Sequence, residues 1–175
     1  MVPKRELGHR VSPLSNEKIK HYAQQLRDAL ELNNSRYMRL DVLLEGLAAT
    51  DSIMLEIVED RELQGRYALT YPDRNKIVLR QSVYDGLCEG EHHSRFTVAH
   101  ELGHLIMHRN QMAYARSSTA GKHKIYEDSE WQADVFASHF LIDSRLVEPG
   151  STAEKISHDF GVSLSAATTW LRKNR

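Results

Sequence analysis

Apolar positions recur along the chain at two spacings. Over residues 15–32, Ile19, Tyr22, Ala23, Leu26, Ala29 and Leu30 share one helical face, and Ser15 or Asn16 can cap the start. Asn33-Asn34-Ser35 breaks that helix, and Asp41 opens a shorter one through Ala49. The pattern then changes. Residues 53–58 are rich in branched side chains, residues 66–71 alternate, and residues 76–80 contain Ile77, Val78 and Leu79. Pro72-Asp73-Arg74-Asn75 is turn chemistry, which makes the last two runs a hairpin and the region a small, mainly antiparallel three-stranded sheet. Residues 82–93 read as a polar connection.

Helical spacing returns over residues 95–109, where Ala99, Leu102, Leu105 and Ile106 form a stripe behind Ser94 as N-cap. It recurs over residues 127–143, through Trp131, Val135, Phe136, Phe140 and Leu141, with Asp128 or Ser129 as cap. The polar stretch 110–126 between them reads as a long loop, either a flap or a disordered connection. Near the end, Ser151-Thr152-Ala153-Glu154 is a capping box for a helix to Phe160. Gly161 stops it, and Ser163 caps a second helix through Lys173. The expected class is α+β: a small sheet packed on helices, with a helix-turn-helix-like pair at 152–173. Residues 1–14, with Pro3, Gly8 and Pro13 and no period, read as an N-terminal arm to a single domain, 15–175.

Composition narrows the function. With 41% hydrophobic and 27% charged residues the chain is an ordinary soluble type, and a formal net charge of -1 gives no general polyanion signal. One cysteine, Cys88, excludes an intrachain disulfide and reads as a buried thiol. No apolar run reaches the roughly 18 residues of a membrane span, and the N-terminus lacks a secretion signal's apolar core. The expected location is the cytoplasm, with no membrane and no direct nucleic-acid partner.

The chemistry concentrates in His100-Glu101-Leu102-Gly103-His104. Residues four apart on a helix lie above one another, so His100 and His104 can both aim a nitrogen at one cation about 2.0–2.1 Å away. Glu101 flanks that cation without ligating it, as the general base of a metal hydrolase does. His108 lies about 6 Å further along the axis, too far to share the ion, and is expected to bond locally. His92 and His93, adjacent and just before the helix, read as surface residues.

A third ligand is expected from the later helix. Glu130 and Asp134 lie one turn apart among aromatics, where a carboxylate needs a partner or a metal. Glu130 as ligand and Asp134 as acceptor for a ligand's free ring N–H would meet that need. Glu127, Asp128 and His139 are the rivals, the two acids being better placed to serve the helix dipole. An oxyanion donor is expected among Tyr84, Tyr114, Tyr126 and His123.

The paired motifs HELGHLIMH and EWQADVFASHFL resemble those of the ImmA/IrrE metallopeptidases. Glu130, Ala133, Asp134, Phe136, Ala137 and Leu141 take that family's downstream positions, with Phe140 where leucine is usual. RNKIVLRQSVYDG, RFTVAHELGH and FGVSLSAATTWL add to the likeness, which runs over residues 53–171. Asp143 and Ser144 follow Ile142, where family members often have proline. The resemblance implies a compact zincin-like domain with Zn²⁺ on His100, His104 and Glu130, and Glu101 as general base. A His₂Glu set also accepts Mn²⁺ or Fe²⁺. It implies an endopeptidase that cuts a helix-turn-helix transcriptional repressor, in phage, stress-response or toxin–antitoxin-like circuits. Two other classes compete: a zinc-stabilised module that sequesters a regulator without turnover, and a DNA-binding regulator using residues 152–173. The second helix of that pair carries Ser165, Ala166, Ala167, Thr168, Thr169 and Trp170, too small and apolar to read bases, which favours packing.

Overall fold

Local capping sets most of the helix boundaries in the computed structural model, which describes residues 8–111 and 123–174. Helix α1 (Asn16–Ala29) starts where the Ser15 hydroxyl accepts the Lys18 N–H at 3.3 Å. It closes three residues short of the expected end because Glu31 takes left-handed backbone (φ 57°). Helix α2 (Leu40–Ala49) follows, with Asp41 in its first turn.

Strands β1 (Met54–Val58), β2 (Ala68–Tyr71) and β3 (Lys76–Arg80) form one sheet in the order β1-β3-β2. The expected hairpin is present, with β2 antiparallel to β3 across the Pro72–Arg74 turn. The mainly antiparallel sheet is not: β1 pairs with β3 in parallel over five residue pairs, Met54↔Lys76 to Val58↔Arg80. Ile77, Val78 and Leu79 make β3 the most buried strand, so it takes the middle and leaves β1 and β2 as edges. The register puts Ala68, Thr70, Ile77, Leu79, Leu55 and Ile57 on one face.

The polar connection expected at 82–93 contains a helix instead. Helix α3 (Gln81–Cys88) buries Val83 and Leu87, two positions one turn apart that are too few to stand out in sequence. Cys88, on its last turn, is exposed rather than buried. Helix α4 (His92–Met107) begins three residues earlier than expected, so Ser94 lies inside it and donates its hydroxyl to Glu91 Oε2 at 2.6 Å instead of capping.

Helix α5 (Ser129–Leu141) crosses α4 at Gly103. A Cβ there would lie 3.0–3.2 Å from Cδ1, Cβ and Cγ of Phe136, so only glycine allows this spacing without a shift. Val98, Ala99, Leu102 and Leu105 of α4 join Phe136, Ala137 and Phe140 of α5 in the core. Helices α6 (Ala153–Phe160) and α7 (Leu164–Asn174) close it, through Ile156, Phe160, Ala167 and Trp170.

Two buried arginines hold elements together. Arg95 donates to the carbonyls of Met38, Phe160 and Gly161 at 2.7, 3.2 and 2.9 Å, meeting the negative end of α6. Arg27 on α1 donates to Phe140 O at 2.7 Å, and its Nε faces Asp143 Oδ2 at 3.2 Å. Residues 8–14 lie against the main body, with Val11 and Leu14 buried. Among the described residues no helix is long and apolar enough to cross a membrane. The stretch 112–122, which holds most of the expected flap, lies outside the described residues.

Candidate metal centre

The crossing of α4 and α5 brings the expected donor set together. His100 Nε2 and His104 Nε2 are 3.0 Å apart. Glu130 Oε2 lies 3.2 Å from the first and its Oε1 lies 3.3 Å from the second. One ligand atom from each residue falls within 4.8 Å of the others, a cluster able to hold a metal ion.

The outer ring nitrogens explain why the inner ones are available. His100 Nδ1–H donates to Asp134 Oδ1 at 2.9 Å. His104 Nδ1 faces His108 Nδ1 at 2.8 Å, and His108 Nε2 faces Gln132 Oε1 at 3.0 Å. The Gln132 amide nitrogen donates to the carbonyls of Ser12 and Tyr126 at 2.9 and 2.8 Å, so its oxygen must be the atom turned to His108. His108 therefore carries its proton on Nε2 and accepts at Nδ1, which leaves His104 protonated at Nδ1 and its Nε2 lone pair facing Glu130. Two imidazole nitrogens and a carboxylate thus converge, a donor set that fits a divalent metal cation.

The electrostatics agree. Burial opposes a charged His100, yet the hydrogen bonds of Asp134 and Glu130 and the charge of Glu101 outweigh it and raise the ring to about 10. The bonds from His100 and His104 hold the Glu130 carboxyl well below the ordinary carboxylate range. The centre attracts positive charge. His108 goes the other way: burial, with His104 close by, lowers it to about 4 and keeps it neutral.

Glu101 is buried on the sheet side of α4, where its Oε2 accepts the Thr70 hydroxyl of β2 at 2.5 Å. Glu130 and Asp134 are not buried among aromatics as expected; their side chains are each 43% exposed and face an opening. Beside Asp134 a cleft of about 670 Å³ runs between the start of α4, α5 and α7, with Phe96, Leu141, Val162 and Ala166 in its wall. His92 and His93 line it as exposed residues.

The rival ligands are engaged elsewhere. Glu127 accepts from Arg10 at 2.8 Å, Asp128 caps α5 by accepting Trp131 N–H at 2.8 Å, and His139 faces Asn16 Oδ1 at 3.0 Å. Of the oxyanion candidates, Tyr84 donates to Glu45, His123 bonds Asp128 Oδ2 at 2.9 Å, and Tyr126 lies under the Lys124 ammonium. Tyr114 lies outside the described residues. Thr70 and Gln132 carried no signal in the sequence. His108 did, since it extends the His100–His104 spacing by one more turn.

The family profile of the IrrE N-terminal-like domain, peptidase M78, matches residues 86–171, from α3 to α7. Over that stretch the chain belongs to the ImmA/IrrE peptidase family. His100, Glu101, His104 and Glu130 all fall inside the ImmA/IrrE segment, whereas the sheet precedes it. No curated protein matches in sequence. Among solved structures, a Mycobacterium tuberculosis transcriptional regulator is similar with a TM-score of 0.57 and 15% identity. The alignment covers 86% of this chain and 45% of that one, so this ImmA/IrrE chain spans less than half of its structural neighbour, and the likeness is one of fold.

Proposed function

We propose that the chain is a zinc-dependent endopeptidase, with His100, His104 and Glu130 as metal ligands and Glu101 as general base. The observation that carries this reading is the convergence of two imidazole nitrogens and a carboxylate at 3.0–3.3 Å. A cation held there would act as a Lewis acid on water and on the scissile carbonyl. Asp134 holds the His100 ring in its ligating tautomer. Thr70 binds one oxygen of Glu101, and the other takes the proton of the attacking water and passes it to the leaving amine.

Edge strand β2, paired with β3 on one side only, runs past Glu101 and offers its free edge to an extended peptide. The cleft beside Asp134 has room for side chains of that peptide. Family membership supports a protein substrate. A cytoplasmic helix-turn-helix repressor, in a phage or toxin–antitoxin-like circuit, is the partner the motif resemblance favours. The structural neighbour, a transcriptional regulator, is compatible with it.

Glu101→Gln tests the reading, because it removes the base while leaving fold, metal and partner binding in place. Cells expressing the native chain should contain new N-termini in a regulator, seen by terminal mass spectrometry and missing with Glu101→Gln. The same termini, or the same biological effect, with Glu101→Gln would leave only a sequestering role.

A further inference from the structure

Residues 8–12 reach the cation site from two directions. In the first, the segment is fastened to the opening turn of α5. Gly8 N–H donates to Asp128 Oδ2 at 2.6 Å, His9 N–H to Ser129 Oγ at 3.0 Å, and Ser129 N–H to the His9 carbonyl at 3.0 Å. Gly8 consequently lies flat against Glu130. A Cβ at position 8 would stand 2.5 Å from Glu130 Cγ and 3.0 Å from Glu130 N, closer than side-chain carbons are found. The Glu130 side chain is therefore walled on one side by backbone that has no room to grow.

The second direction passes through Gln132, which is fully buried. Its amide hydrogens are taken by the carbonyls of Ser12 and Tyr126. Turned over, the amide would set its oxygen against those two carbonyl oxygens. Tyr126 O would keep the Leu14 N–H at 3.0 Å, but the Ser12 carbonyl would lose its Gln132 donor, so the orientation is fixed. Through His108, that orientation settles which nitrogen of His104 carries the proton.

We infer that the N-terminal segment 8–12 is a positioning element of the metal centre: Gly8 sets the place of Glu130, and Ser12, acting through Gln132 and His108, sets the tautomer of His104. The inference rests on the three-donor reading given above. It makes His108 and Gly8 positioning residues rather than ligands, and it ties the centre to a part of the chain that precedes both ligand helices.

Titration of the full chain with Co²⁺, followed by its visible absorption, tests this separately from activity. The native chain should take up one Co²⁺. Gly8→Ala and His108→Leu should each bind it about 10–100-fold more weakly, the usual cost of losing an outer partner, with an altered band at saturation. An unchanged affinity and band in Gly8→Ala would overturn the role given to Gly8, and the same result in His108→Leu would overturn that of the Gln132 chain. A change confined to the urea midpoint of the metal-free protein would overturn either, since it marks ordinary packing. If the native chain binds no Co²⁺, the three-donor reading fails first and the inference with it.

Discussion

Thr70, on an edge of the sheet, donates its hydroxyl to Glu101 Oε2 at 2.5 Å. That bond joins the strand proposed to receive substrate to the residue proposed to move the proton, so one rigid unit aligns both. A hydrogen bond to a charged group contributes about 1.5–3 kcal/mol, and about 1.4 kcal/mol is tenfold in rate. Thr70→Val should therefore lower kcat about tenfold, and Thr70→Ser should restore it. Steady-state cleavage of the partner protein is the measurement, and an unchanged rate would leave Glu101 oriented by other means.

Asp134 accepts the outer N–H of His100 at 2.9 Å. Asp134→Asn keeps an oxygen in place and removes the charge. Zinc affinity, measured by competition with a chelator, should fall about tenfold, the lower end of the usual range for such partners. Equal affinity would show that Asp134 does not tune the ligand.

The approach of α4 to α5 depends on Gly103, which faces Phe136. Gly103→Val should cost about 1–3 kcal/mol by overpacking and weaken zinc binding as well, because His104 and Glu130 sit on the two helices it pushes apart. Urea unfolding with and without zinc separates the two effects. A stability loss with unchanged zinc affinity would show that the helix spacing at Gly103 does not reach the ligands.

Asp143 ties α1 to the end of α5. Burial works against its charge, but the hydrogen bonds of Arg145 and the cations of Arg145 and Arg27 outweigh it and depress its pKa. A depressed carboxylate contributes stability that is complete above its unfolded pKa of about 3.9 and is lost as pH falls through the folded value. The urea midpoint should therefore drop below about pH 4, and Asp143→Asn should flatten that drop. At neutral pH Asp143→Ala should cost about 3–5 kcal/mol, because the Arg27 cation stays buried without its counter-ion.

The features legible in the sequence were those that repeat along one helix or carry turn chemistry. His100 and His104 announce themselves by spacing, and the Pro72–Arg74 turn announces the hairpin. The helical pattern puts Glu130 and Asp134 among buried aromatics, whereas both border an opening. The parallel β1–β3 pairing was not legible, because strand order depends on which run is apolar enough for the middle, and hairpin signals report only neighbours in sequence. Helix α3 was not legible because two buried apolar side chains in eight residues resemble a loop. Thr70, Gly8 and Gln132 act across 30 or more residues or through a single amide orientation, and no local pattern records such contacts.

In the proposed centre three donors from two helices share one cation, and zinc content after purification and dialysis tests this most directly. The native chain should hold one zinc per molecule, and Glu130→Ala should hold little while keeping its helical circular dichroism. A full zinc load in folded Glu130→Ala would contradict the assignment of the third ligand and, with it, the proposed centre.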